Sequence, residues 1–442
     1  MHNKDATSHI FVSQDDYRRT TLKTRSIACL QIFVGFLAAI NSFGFLTSFG
    51  VFQIYYPELL HTSASKVSWI GSTPIFVVSI ASIISGRLVD TGHFRVAVIV
   101  GACLQVVGVF SASAAKGYWP VFVTQGIIMG LGSGLAYTPC IWVVATHFER
   151  RKMLAIAISS TGVPVGALMF IGVSKAIIPS YGIGPYLRGI GYILTATNVF
   201  IILAARPYQA SEKPLPSPLV DFSAFKRLDF ALFVAGASFN FLVSCFVPFY
   251  IPSFDKSALH HSTASNFNAL LLFNACGIIG CILMSWLAEQ ILGPLPAFTV
   301  CILFNASATF GWLIVDSETA LWTFAAYYGF FWHAMYALFI PAAASVILKR
   351  NGLGARMATC TAVTSIPILM GPPIGGAIVE GFGGGYAVAQ LYAGTMYAIA
   401  AGLVGAAWYV QDATRAADDK RKIGVRRFLM RTFSRDVGRD GS

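Results

Sequence analysis

The chain has 442 residues, of which 56% are hydrophobic and 11% charged, and its mean hydropathy is +0.67. A soluble domain carries about 25% charged residues, so a water-soluble globule is excluded. The formal net charge of +12 would suit a nucleic-acid binder, but the basic residues are distributed in a way that points elsewhere.

Residues 1–27 are polar and lack an apolar core ahead of a cleavage site, so no cleavable signal peptide is expected. From there the chain alternates between long apolar runs and short polar turns. A membrane-spanning helix needs about 20 mostly apolar residues. On that criterion spans are expected at 28–55, 67–86, 96–115, 119–146, 153–174 and 189–205. A second set is expected at 230–253, 265–288, 294–315, 319–348, 357–379 and 386–410, with a tilt or a bend at Pro341 in the long tenth run. The Pro- and Ser-rich stretch 206–229 divides them six and six. The expected organisation is an N-terminal tail (1–27), a six-helix bundle (28–205), a linker (206–229), a second bundle (230–410) and a basic C-terminal tail (411–442). The tail carries Phe428, Leu429, Met430 and Phe433 among its charges, which suits either the surface of an anionic leaflet or a solvated coil.

Most of the 31 Lys and Arg residues fall on one side of this arrangement. They lie in the two tails, the turn 87–95, Arg150-Arg151-Lys152, the linker and 349–356. Lys66, Lys116, Lys175, Arg188 and Lys256 take the other side. The positive-inside rule then predicts that both termini are cytoplasmic and accounts for the basic charge without nucleic acid. The plasma membrane is the expected location, although no targeting signal distinguishes it from an internal one. The eight cysteines are scattered singly through apolar runs and read as buried, inert thiols.

The halves echo each other. Gly86-x-x-x-Asp90 after span 2 matches Ser285-x-x-x-Glu289 after span 8, Pro139 matches Pro341, and Arg151 with Gly166 matches Arg356 with Gly371, each about 200 residues on, as in a parallel duplication. The stretch GRLVDTGHFR (86–95) resembles the loop signature that follows the second helix of major facilitator superfamily transporters. NSFGFLTSFGVFQIYY (41–56), KVSWIGS (66–72), the block 130–166, VPFYIPSF (247–254) and YGFFWHAMYALFIPAA (328–343) resemble its monocarboxylate-porter branch, especially the fungal members.

The resemblance implies an all-α membrane protein of twelve helices in two six-helix bundles, cycling by alternating access, with spans 1, 4, 7 and 10 lining a central cavity. It also implies a gate. Asp90 would latch onto the start of span 11 around Gly354, Ala355 and Arg356, where a helix N-terminus offers free N–H groups and partial positive charge. Gly86 would allow close packing, Arg95 would hold the turn on the cytoplasmic side, and Arg151 would be the counterpart of Arg356. The chain departs from the carboxylate carriers in lacking a span 1 lysine and an Asp/Arg pair in span 8, where Asn274 and Cys281 stand. A carboxylate cargo normally needs a cation or convergent N–H donors.

Polar and aromatic residues of the lining spans are the candidate substrate contacts: Asn41, Tyr137, Trp142, Asn240, His333 and Tyr336. Each has a plain structural alternative. Asn is often interhelical glue, Tyr137 and Trp142 could be packing aromatics, and His333 could be a neutral imidazole bonded to a neighbouring helix. An ionisable group inside a membrane is nonetheless a functional candidate, and Tyr336 is expected to share the His333 face while Trp332 points elsewhere. Glu289 and Glu380 sit at span ends and read as interfacial. The Gly162/Gly166 pair with Pro164, and Gly371 with its neighbouring prolines, mark either hinges or tight packing.

The function expected is secondary active transport of a small, neutral or weakly charged organic metabolite, with a proton as the candidate co-substrate. Efflux of a secondary metabolite and uptake of a nutrient use the same cycle. Proton-coupled monocarboxylate uptake and a non-transporting nutrient sensor are the alternatives. H-E-x-x-H, G-x-S-x-G and P-loop spacings are missing from the sequence, so no enzyme activity, cofactor, metal or ATP is expected.

Overall fold

The computed structural model describes residues 14–148, 151–206, 221–259, 267–347 and 353–436. Every expected span is present, with ends shifted by a few residues. In chain order they are Ser26–Thr47, Ala64–Asp90, Phe94–Ala114, Tyr118–His147, Lys152–Tyr181, Ile183–Ala204, Leu228–Ala258, Asn268–Leu292, Pro294–Ile314, Glu318–Val346, Gly354–Gly381 and Ala387–Thr414. Spans 1–6 pack among themselves, as do spans 7–12, and the two sets meet along span 2 against span 11 and span 5 against span 8. The end of the molecule where the first span begins and the twelfth ends is the terminal face, and the opposite end is the distal face.

Helical backbone continues beyond the twelve spans. The first helix starts at Gln14, inside the polar tail, and the last runs unbroken from Ala387 to Asp436. Span 10 is one continuous helix that includes Pro341.

Spans 1 and 7 are both interrupted, for different local reasons. In span 1 a π-turn covers Ile40–Gly44, and the helix stops at Ser48 before resuming over Gly50–Leu59. There Thr47 and Ser48 turn their hydroxyls back onto the carbonyls of Phe43 and Phe45, which loosens and bends a helix. Span 7 ends its first segment at Ser244 and restarts at Phe246. Pro248 has no N–H to offer the Ser244 carbonyl four residues earlier, so the ladder must open at that point.

Each interrupted span is seated on a glycine of the helix beside it. A Cβ on Gly166 would lie 2.9 Å from the Cα of Ile40, and one on Gly371 would overlap the carbonyl of Leu242. Span 5 thus holds span 1 as span 11 holds span 7, which is the duplication written as packing. In this conformation Gly162 and Gly166 of span 5 and Gly371 of span 11 are close-packing sites.

Candidate substrate path and gates

Each bundle carries an aromatic cluster, and that of the C-terminal bundle surrounds the span 7 break. On the C-terminal side the free Ser244 carbonyl accepts the Trp332 indole N–H at 2.7 Å, and the Tyr328 hydroxyl reaches it at 3.5 Å. The Tyr336 hydroxyl pairs with Ser244 Oγ at 2.8 Å and lies 3.5 Å from Cys245 Sγ. Tyr336 packs against Trp332 at a tilt of 45° with centroids 4.3 Å apart and on Phe241 at 5.4 Å. On the N-terminal side Tyr137 meets the Phe43 ring edge-on at 5.0 Å and lies beside Ser160 of span 5 and Cys281 of span 8. Phe43, Tyr137 and Tyr336 remain partly accessible.

His333 is placed differently. Its ring is buried, packs on Phe273 at 4.9 Å, and fits into the surface of span 8 at Gly277, where any Cβ would overlap it. Nδ1 lies 3.0 Å from the Gly329 carbonyl, and Nε2 has no protein partner. The expectation that Tyr336 shares the His333 face is therefore corrected, since Tyr336 and Trp332 share one face and His333 takes another. A step of four residues turns a helix by about 40° one way and a step of three by about 60° the other. The carbonyl and hydroxyl of Ser244 in span 7 draw the 332/336 pair, and the glycine of span 8 makes room for the histidine.

Asn41 is buried in a polar network inside the first bundle. Its amide donates to Asn198 Oδ1 at 3.1 Å and accepts from Thr197 at 2.9 Å, and Asn198 continues to Gln105 at 3.0 Å. Gln105 then bonds Ser42 and Ser133, tying spans 1, 3, 4 and 6 together. Asn240 is equally buried, but neither its Nδ2 nor its Oδ1 has a protein partner. Trp142 is 46% exposed and lies five residues from Tyr137, about 140° around the helix, so the two do not face one site.

The distal face is closed by a stack of cross-bundle contacts. Phe49 packs on Phe249 at 4.8 Å, and Ser68 Oγ pairs with the Tyr250 hydroxyl at 2.7 Å. Ser65 donates its backbone N–H to Glu380 at 2.8 Å and its hydroxyl to the Pro373 carbonyl at 2.8 Å. Lys256 reaches Glu58 at 3.3 Å, and Lys175 donates to Asn268 at 2.7 Å.

The expected gate residues at the terminal face are not joined. Asp90 is exposed, with Arg87 as its neighbouring charge, and makes no hydrogen bond to span 11 among the described residues. Nothing lies within 4 Å of a Cβ built on Gly86 or on Gly354. Among the described residues the close packing expected at Gly86 is thus not formed. Arg95 is exposed and lines a hollow between spans 3 and 6 with Phe94, Val98 and Ile202. Arg151 is exposed, in the left-handed backbone region (φ 59°), at the start of span 5. Arg356 bonds the linker's Asp221 at 3.0 Å rather than the 87–95 turn, and Asp221 also takes Thr359 Oγ1 on its backbone N–H at 2.8 Å. Hydrogen bonds from Ser223, followed by the bond from Arg356, hold the Asp221 carboxyl below the usual carboxylate range.

Some of these residues left a trace in the sequence and some did not. Pro248, four residues beyond Ser244, flags a free carbonyl. Nothing local pairs Glu380 with Ser65 or Arg356 with Asp221, because those partners are far apart in the chain.

Comparison with known proteins agrees with this architecture. Residues 33–352 match the family described as Major Facilitator Superfamily. An MFS-type transporter of Gibberella zeae is 33% identical over 375 residues, covering 84% of this chain and 84% of that protein. The aspyridones efflux protein apdF of Emericella nidulans is 28% identical over 78% of this chain and 70% of its own length. Among solved structures, the E. coli fucose:proton symporter FucP superposes with a TM-score of 0.62 at 16% identity, covering 86% of this chain and 98% of that one.

Proposed function

The chain belongs to the Major Facilitator Superfamily, and on that premise we propose that it exports a neutral or weakly charged organic metabolite carrying an aromatic ring. Secondary transport of a small organic molecule follows from the family and the fold. Efflux as the direction is supported by relatives named for it, such as the aspyridones efflux protein.

The observation that carries the cargo class is the make-up of the path beside the span 7 break. The second bundle brings the rings and hydroxyls of Phe241, Trp332 and Tyr336 together there, the first bundle pairs Phe43 with Tyr137, and spans 1, 4 and 10 contain no Lys or Arg. A carboxylate would enter without a cation to meet it, whereas a planar ring gains about 0.5–1.5 kcal/mol per aromatic partner beyond its buried area. The buried amide of Asn240, unbonded at both ends, supplies a hydrogen bond to a polar edge of the cargo. We place the chain in the monocarboxylate-porter-like branch by its sequence stretches and separate it from monocarboxylate carriage by its missing cations. The positive-inside rule supports a cytoplasmic terminal face, and a plasma-membrane location suits export.

Untargeted metabolite profiling of cells with and without the protein, followed by vesicle transport of the metabolites retained, tests this reading. Ring-bearing uncharged compounds should accumulate inside cells lacking it. Saturable, pH-driven transport of a simple monocarboxylate, without transport of such compounds, would overturn it.

A further inference from the structure

We propose that Glu380 is the latch that holds the distal face shut. Spans 2 and 11 run antiparallel in contact, so the last turn of each faces the first turn of the other, and in this structure they meet at the distal end. At the distal end the Glu380 carboxylate, one residue from the end of span 11, accepts the Ser65 N–H in the first turn of span 2. The next two N–H groups are already used within the helix, since Lys66 donates to Ser63 Oγ and Val67 to the Ser63 carbonyl. The Ser65 N–H is thus left for an acceptor from another element, and a carboxylate is the best acceptor for a helix N-terminus.

At the terminal end the same two helices present Asp90, the last residue of span 2, and Gly354 at the start of span 11. That pair is apart in this structure. The two ends lie on opposite sides of the cycle, so engaging one carboxylate withdraws the other.

A second, independent feature marks the distal contact as built. Gly376, one turn before Glu380, lets span 11 close on span 2 and span 7. A Cβ there would overlap the Tyr250 hydroxyl and come within 2.8 Å of the Ser65 Cα. Closure therefore requires glycine at 376, just where the carboxylate reaches across.

The test reads conformation alone, so it stands or falls apart from the cargo reading on which the transport cycle rests. Spin labels at Lys116→Cys and Asp316→Cys, both exposed on distal turns of opposite bundles, report the opening by electron–electron distance. Cys29, Cys103 and Cys276 are first replaced by serine. Glu380→Ala should raise the open fraction about 2- to 5-fold at low salt, with Glu380→Gln intermediate and the effect shrinking at high salt. Gly376→Val should favour the open state irrespective of salt. Asp90→Asn should move the balance the other way. Monodisperse elution of each variant keeps misfolding from passing as opening. Glu380→Ala and Gly376→Val distributions matching the parent at low salt would overturn the latch, as would a Glu380→Ala effect that salt leaves unchanged.

Discussion

Trp332 donates its indole N–H to the carbonyl of Ser244, the acceptor that Pro248 leaves without a helical partner. The break in span 7 and the aromatic cluster of span 10 are thereby one feature, since the proline opens the ladder and the tryptophan closes the vacancy. Trp332→Phe should keep an aromatic ring and lose the bond, costing about 1–3 kcal/mol because only the long Tyr328 contact then remains at that buried carbonyl. Pro248→Ala in that background should recover part of the loss by restoring the backbone N–H. Thermal unfolding of the purified variants checks both, and equal melting of Trp332→Phe and the parent would refute the role.

Asn240 separates a binding role from a packing role cleanly. Its amide is buried with no protein partner, so Asn240→Leu should leave stability unchanged or improved, because the buried polar group is removed at similar volume. If the amide bonds the cargo, KM should rise about 2- to 10-fold. A melting temperature lowered with KM unchanged would make Asn240 a structural residue instead.

His333 is expected to act through packing. Its imidazole is seated against Gly277 and bonded to the Gly329 carbonyl. His333→Ala should cost about 2–4 kcal/mol as a cavity, while His333→Gln should transport with the parent's pH profile between pH 5 and 8. Gly277→Ala should be damaging in the parent and mild in His333→Ala, because the added methyl fills the space the ring left. A flat pH profile in His333→Gln, with activity retained, would instead make His333 the carrier of a coupling proton.

The clasp between Asp221 and Arg356 should be insensitive to pH across the physiological range. The carboxyl is held below its ordinary value of about 3.9. A depressed carboxylate contributes its stabilisation above the unfolded value and loses it as pH falls through the folded one. Hydrogen exchange of residues 221–227 should therefore be protected equally at pH 6 and 8, apart from the intrinsic rate change, and faster in Asp221→Asn. Equal exchange in the variant and the parent would show that Arg356 does not hold the linker.

The number of spans was fixed by hydropathy alone, because each crossing must satisfy its backbone internally and expose an apolar surface to lipid. The duplication was legible too, since Gly166 and Gly371 recur at matching places and both seat an interrupted helix. Which way a side chain faces was decided only by the tertiary structure. Asn41 and His333 read alike as polar groups in lining spans, yet one is absorbed by Asn198 and Thr197 and the other by a glycine of span 8. The period of a buried helix carries little orientation when it is apolar on every side, so neighbours settle the rotation. The latch partners were beyond the reach of sequence for a further reason. Ser65 and Glu380, like Asp221 and Arg356, are joined through bonds across 315 and 135 residues, and only the packing of span 11 against spans 2 and 7 brings those ends together.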